Sequence, residues 1–196
     1  LIGLIGRNHS AHNLLSQLNP KSAISEGFRA LRSNLNYKDK ELTDKVYLIT
    51  SSISGEGKTF IASNLAVVFA NSGKKTLLLG ADLRRPKIYE DFATDNSKGL
   101  STILSGEHTV ADVTIKTEEK NLDVIISGPS PSNPSDMLLN ENFEKLISVL
   151  KNKYDKVIID TAPVGLVADA YMVMKHTDVN LYIVRQNYTT KEVLRF

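Results

Sequence analysis

The chain has 196 residues, 41% of them hydrophobic and 23% charged, with a formal charge of +2 and no cysteine. That size suits one domain around a single core. The balance excludes a disordered or fibrous chain, and so small a charge gives no concentrated basic face for nucleic acid. Without cysteine there is no disulfide, thiolate zinc site or cysteine nucleophile, which fits a reducing compartment, cytoplasmic by default. No apolar run approaches the roughly 20 residues that cross a bilayer. The chain starts without methionine and stops in the helix-like Lys191-Glu192-Val193-Leu194-Arg195-Phe196, the pattern of a piece of a longer protein.

In chain order, Lys21-Ser22-Ala23 follows Pro20 and opens a helix in which Ile24, Phe28, Leu31 and Leu35 recur on one apolar face. Glu26, Arg29 and Arg32, spaced by three, lay a stripe of both charges beside that face. From about residue 46 strand-like and helix-like stretches alternate, which predicts an α/β fold with a mostly parallel sheet flanked by helices on both faces. The predicted strands are Val46 to Ser51, Thr76 to Ala81, Leu122 to Ser127, Val157 to Asp160 and Leu181 to Val184, short and apolar as strands buried on both faces should be. Between the first two, Lys58 to Ser72 carries Ile61, Leu65, Val68 and Phe69 at helical spacing and is closed by Gly73. Further helices are predicted over Asn142 to Lys153, around Ala168 to Lys175, and from Thr190 to the end. The division expected is an N-terminal extension with its helix over 1–45 and a nucleotide-binding core over 46–196.

The segment Ser52-Ile53-Ser54-Gly55-Glu56-Gly57-Lys58-Thr59 joins a strand to a helix. There it presents successive backbone N–H groups to an anion at the helix N-terminus. Lys58 would place an ammonium on β and γ phosphates, and the Thr59 hydroxyl would ligate Mg²⁺. The pattern G-x-x-x-x-G-K-[ST] asks for glycine at position 52, where serine stands. Two carboxylates follow apolar runs where parallel strands should end: Asp160, placed as a Walker B aspartate, and Asp82, able to ligate metal or accept a proton. The four histidines, His9, His12, His108 and His176, show no metal spacing.

Taken together, Glu26-x-x-Arg29-x-x-Arg32, Ser54-Gly55-Glu56-Gly57-Lys58-Thr59, Asp82-Leu83-Arg84-Arg85-Pro86 and Asp160-Thr161-Ala162-Pro163 resemble the bacterial tyrosine kinases (BY-kinases). The resemblance runs from Pro20-Lys21-Ser22 through Gly128-Pro129 and Asn133-Pro134-Ser135 to Arg185-Gln186-Asn187-Tyr188. It implies a P-loop α/β domain that passes the ATP γ-phosphoryl to protein tyrosines in the control of exopolysaccharide or capsule export. It implies a place at the cytoplasmic face of the membrane, beside a membrane segment of a chain-length regulator in cis or trans. Carried over by motif, Ser54 to Phe60 would cradle ATP or ADP, Lys58, Asp82 and Asp160 would be catalytic, and Thr59, Asp82 and Asp160 would organise Mg²⁺. Glu26, Arg29 and Arg32 would join kinase domains into a homo-oligomeric ring.

Two departures stand out. The family's second motif commonly reads Asp-x-Asp, and here its first position is Gly80, leaving Asp82 to act alone on the acceptor hydroxyl. Nothing after Tyr188 is tyrosine, so the family's tyrosine-rich acceptor tail is expected to lie outside this piece. Two other readings remain open: a partition or division-site switch ATPase, against which Ile53 stands where those proteins carry a lysine, and a nucleotide-binding scaffold without kinase activity, which Gly80 suggests. Tyr47, Tyr171 and Tyr182 are expected in the core, and Tyr37, Tyr89, Tyr154 and Tyr188 at the surface.

Overall fold

In a computed structural model, the described residues are 1–8, 13–15, 19–39, 43 and 45–194. The elements in order are α1 (Ala23–Lys38), β1 (Val46–Ser51), α2 (Lys58–Asn71), β2 (Thr76–Gly80), α3 (Ile88–Asp91), α4 (Leu100–Leu104), α5 (Val110–Val113), β3 (Ile115–Lys116), β4 (Leu122–Ile125), α6 (Pro134–Leu139), α7 (Glu141–Lys153), β5 (Lys156–Asp160), α8 (Asp169–Met174) and β6 (Val179–Ile183). The strands form one sheet in the order β3-β4-β2-β5-β1-β6. All neighbours are parallel except β3, which runs antiparallel to β4.

The central strands are buried on both faces, so their apolar runs are read alternately into two cores. Tyr47, Ile49, Leu78 and Ile158 face the side of α1 and α2, while Val46, Leu48, Leu77, Leu79 and Ile159 face the side of α7 and α8. α1 forms because Ser22 caps it, its hydroxyl accepting from the Ser25 N–H, and because Phe28, Leu31 and Leu35 are buried along one face. They cover α2, whose residues from Ile61 to Ala70 are all buried. The four-residue stripe read from sequence is therefore too narrow: α2 is roofed by α1 as well as floored by the sheet, and such a helix is apolar all round. Gly73, at φ +87°, closes α2 as predicted.

The extension is tied to this core. The Leu15 N–H donates to Asn64 Oδ1 at 2.6 Å, and Asn64 Nδ2 donates to the Asn13 carbonyl at 2.9 Å.

Several expectations are corrected. The helix from Thr190 is not formed over 191–194, which are turns; its last two residues, 195 and 196, lie outside the described residues, as do His9 and His12. The edge strand β3 and the short helices α3 to α6 carry too few residues for a periodic signal. Tyr154 is buried, its hydroxyl donating to Asp123 Oδ2 at 2.7 Å. Tyr171 and Tyr182 are exposed instead: Tyr182 lies on the sheet's edge strand, where only one flank is covered. Tyr89 is half-buried and packs against the α1–α2 core.

Candidate nucleotide-binding site

The strand order puts three chain segments at the carboxyl ends of adjacent strands β2, β5 and β1, where α/β folds hold ligands. Chain from β1 turns through Ser52–Gly57 into α2, with Gly55 at φ +86° and Gly57 at φ +96°. Both lie in the left-handed region that favours glycine, and this bends the loop into an arc. The backbone N–H groups of Gly55, Glu56, Gly57, Lys58 and Thr59 have no acceptor among the described residues. Several bare donors at the N-terminus of a 14-residue helix make an anion site.

Glu56 faces away from the cleft. Its buried carboxylate accepts from the Ile53 N–H at 2.7 Å and from the Thr189 hydroxyl, so the side chain braces the loop and the backbone is left to the ligand. The serine at position 52 is accommodated by turning its hydroxyl onto Tyr182, 2.5 Å away on β6. The close approach moves to Gly165, whose N–H donates to the Ser52 carbonyl at 3.1 Å and where an added Cβ would stand 2.5 Å from that oxygen. The missing motif glycine thus has its steric counterpart on the facing loop.

Lys58 is buried, and burial lowers the pKa of its ammonium against the opposing pull of Asp160, Asp82 and Glu56. Asp160 ends β5, in register with Gly80 of β2. Its Oδ2 accepts from the Thr59 hydroxyl at 2.8 Å, and its Oδ1 is buried with no hydrogen-bond partner. Burial pushes its carboxyl up to about 7, although Thr59 and Lys58 pull the other way. A buried carboxylate oxygen without a partner is costly, and a divalent cation is a group that would satisfy it. Asp82 is half-buried; its Oδ1 accepts from the N–H groups of Arg84 and Arg85 at 3.2 and 2.9 Å, and its Oδ2 has no partner among the described residues.

These residues line a cleft of about 410 Å³ walled by Phe60, Arg85, Lys87, Pro163 and Leu166. Ser54, Gly55, Gly57, Lys58, Thr59, Phe60 and Asp82 line it together, and Asp160 reaches it through Thr59. Phe60 also packs edge-on against Phe28 of α1, centroids 5.8 Å apart.

The third set of candidates is not part of this cleft. Glu26 and Arg29 form an exposed ion pair at 2.5 Å, whereas Arg32 donates to the Val68 carbonyl of α2 at 3.1 Å and so ties α1 to the core.

Sequence reasoning assigned no role to Asp169. Its fully buried carboxylate accepts two bonds from Arg84, which itself lines the cleft, at 2.8 and 3.1 Å, and one from the Ser135 hydroxyl at 2.7 Å, joining the loop after β2 to α6 and α8. Arg84 belongs to the Asp82-Leu83-Arg84-Arg85-Pro86 motif, but its partner, 85 residues away, has no local signal. The contacts of 185–189 with the phosphate loop were likewise unread.

Bare N–H donors beside the buried Lys58 ammonium, with an oxygen pair formed by the Thr59 hydroxyl and the unsatisfied Asp160 carboxylate, are what a polyphosphate and its counterion require, so fold and site define a P-loop phosphate-binding protein. A family model described as an AAA domain matches residues 44–192. The chain is 38% identical over 180 residues to the tyrosine-protein kinase YwqD of Bacillus subtilis (strain 168), covering 92% of this chain and 76% of that one. It is 36% identical over 188 residues to the tyrosine-protein kinase wzc of Salmonella typhi, covering 95% of this chain and 26% of that one, and so spans about a quarter of that longer relative. The crystal structure of the chimerical protein CapA2B2 matches with a TM-score of 0.93 at 38% identity, over 99% of this chain and 84% of that one. The chain belongs to the bacterial tyrosine kinase family, and its P-loop fold is that of a protein-tyrosine kinase domain. Among the described residues no helix is long and apolar enough to cross a membrane.

Proposed function

We propose that the chain binds ATP and Mg²⁺ in this cleft and transfers the γ-phosphoryl group to protein tyrosines, with Lys58, Asp82 and Asp160 catalytic. The observation that carries the reading is the buried, partnerless Oδ1 of Asp160 beside the Thr59 hydroxyl, under an arc of free N–H groups. Those N–H groups, from Gly55 to Thr59, would hold the phosphates, and the Lys58 ammonium would stabilise the charge on the transferred group. Thr59 Oγ1 and Asp160 would hold the cation, with Asp82 as the second acidic group. The cation, when bound, neutralises phosphate charge and aligns the transfer. Asp82, anchored by two backbone donors through Oδ1, keeps Oδ2 free to take the proton of an acceptor tyrosine hydroxyl. Phosphoryl transfer rests on positioning and electrostatics, and each of these residues is fixed by the packed strand ends behind it.

The residues from 1 to 45 serve as an extension that docks kinase domains into a ring through Glu26 and Arg29, with Arg32 holding the helix in place. The family resemblance supports a setting in capsule or exopolysaccharide export, at the cytoplasmic face of the membrane beside a chain-length-regulator segment. Gly80 favours a second reading, a nucleotide-binding scaffold with little turnover, because one carboxylate of the family's pair is absent.

Incubation of the protein with ATP, Mg²⁺ and a tyrosine-containing polypeptide, followed by mass spectrometry for phosphotyrosine, separates the two. Phosphotyrosine that disappears in Lys58→Met supports the kinase; nucleotide binding without any modified tyrosine, in cis or in trans, supports the scaffold.

A further inference from the structure

The phosphate loop is gripped from outside the cleft by the turn that follows β6. Tyr188 donates its hydroxyl to the Ser54 carbonyl at 3.0 Å, Arg185 donates to the Gly55 carbonyl at 2.7 Å, and the Thr189 hydroxyl donates to the Glu56 carboxylate. Three consecutive loop residues are thus held by three residues of one turn. The turn is itself closed: the Arg185 carbonyl accepts from the N–H groups of Tyr188 and Thr189 at 3.2 and 2.9 Å, and the Arg185 N–H donates to Thr189 Oγ1 at 3.0 Å. Asn187, at φ +58°, supplies the left-handed residue that the turn needs. The Arg185 guanidinium lies 4.9 Å from the centroid of the Tyr188 ring, so the two donors support one another. Contact is close enough that a Cβ on Gly55 would stand 2.6 Å from the Tyr188 hydroxyl.

A trans peptide is planar, with its C=O and N–H pointing in opposite directions. Fixing the Ser54 carbonyl outward therefore fixes the Gly55 N–H inward, and fixing the Gly55 carbonyl does the same for the Glu56 N–H. We infer that Arg185, Tyr188 and Thr189 are positioning residues that clamp the phosphate cradle from behind, turning carbonyls that would repel a phosphate away from the cleft and the free N–H groups toward it. The inference rests on the reading of the cleft as a phosphate site and adds residues that touch neither nucleotide nor acceptor.

The test is the affinity of a fluorescent N-methylanthraniloyl ADP in the presence of Mg²⁺, with magnesium pyrophosphate as competitor, for the parent, Tyr188→Phe, Arg185→Gln, Thr189→Val, Thr189→Ser and Lys58→Met. Loss of one such hydrogen bond is expected to weaken ADP about three- to tenfold. Pyrophosphate should weaken by the same factor, because the clamp acts on phosphate donors alone. Thr189→Ser should restore what Thr189→Val loses, and melting temperatures without ligand should stay near the parent's. Parent-like affinity in the clamp variants, with binding lost in Lys58→Met, would overturn the clamp. A loss for ADP with pyrophosphate unchanged would also overturn it, since it would place these residues on the base. A loss that only tracks a lowered ligand-free melting temperature would assign them to folding and overturn it too. A parent that binds neither ligand would overturn the phosphate-site reading itself.

Discussion

Asp160, at the carboxyl end of β5, accepts from the Thr59 hydroxyl in the first turn of α2 at 2.8 Å, and the bond uses only one oxygen of the carboxylate, the other being buried without a partner. A protein that keeps an uncompensated carboxylate oxygen in its interior spends stability at that spot, which is common where function requires the group. Asp160→Asn keeps the acceptor for Thr59 and removes the buried charge. The ligand-free protein should melt at the parent temperature or a few degrees higher, by scanning calorimetry. Phosphoryl transfer should fall by about 10²- to 10³-fold or more.

The Arg84–Asp169 pair at the wall of the cleft should behave differently, because the Asp169 carboxylate is buried with both oxygens bonded to Arg84 and Ser135. Removing the carboxylate with Asp169→Ala leaves Arg84 with only its 2.8 Å bond to the Ser135 hydroxyl. Arg84 is 38% exposed and can return to water, so the expected loss is about 2 kcal/mol, below the 3–5 of a fully buried pair. Urea denaturation measures it.

The same residue sets a pH dependence. Burial alone would raise the Asp169 carboxyl; the Arg84 and Ser135 bonds outweigh it and hold it below its ordinary 3.8. A depressed folded-state value contributes stability that is present above 3.8 and fades as pH falls through the lowered value. The acid limb of the stability curve, followed by circular dichroism below pH 4, should therefore be shallower in Asp169→Asn than in the parent.

Restoring the family's aspartate at position 80 should not be simple. A Cβ on Gly80 would stand 2.8 Å from Ser127 Oγ and 3.0 Å from the Ser127 N–H nitrogen. Gly80→Asp alone is expected to lower stability by about 1–3 kcal/mol through overpacking. Gly80→Asp with Ser127→Gly should recover part of that loss, since the hydroxyl is the nearer obstacle. Chemical denaturation of the three proteins gives the comparison, and a phosphotyrosine assay on the double variant shows whether the second carboxylate raises turnover.

Along α1, Arg29 and Arg32 should separate. Arg32→Ala removes the bond to the Val68 carbonyl and should cost about 1 kcal/mol of stability in the monomer. Arg29→Ala removes an exposed ion pair with Glu26 and a bond to the Pro20 carbonyl, neither of which reaches the core, so a change in the mass distribution by light scattering at an unchanged melting temperature reports on assembly and not on folding.

The alternation of apolar runs and the glycine-bent loop with its Lys58 and Thr59 were legible from sequence because they are local. Period, turn chemistry and helix start each depend on neighbours within a few residues, and Asp160 was found because a strand-end carboxylate follows its own apolar run. What tertiary structure decided is what joins distant segments: α2 buried on every side because α1 roofs it, Ser52 tolerated because Gly165 gives way opposite it, Asp169 fixed by Arg84, and the cradle held by the turn at 185–189. Tyrosine burial went the same way, with Tyr154 inside and Tyr171 and Tyr182 outside. Hydrogen bonds between residues more than 80 positions apart leave no periodic trace in the chain, and only the packing of the sheet brings them within reach.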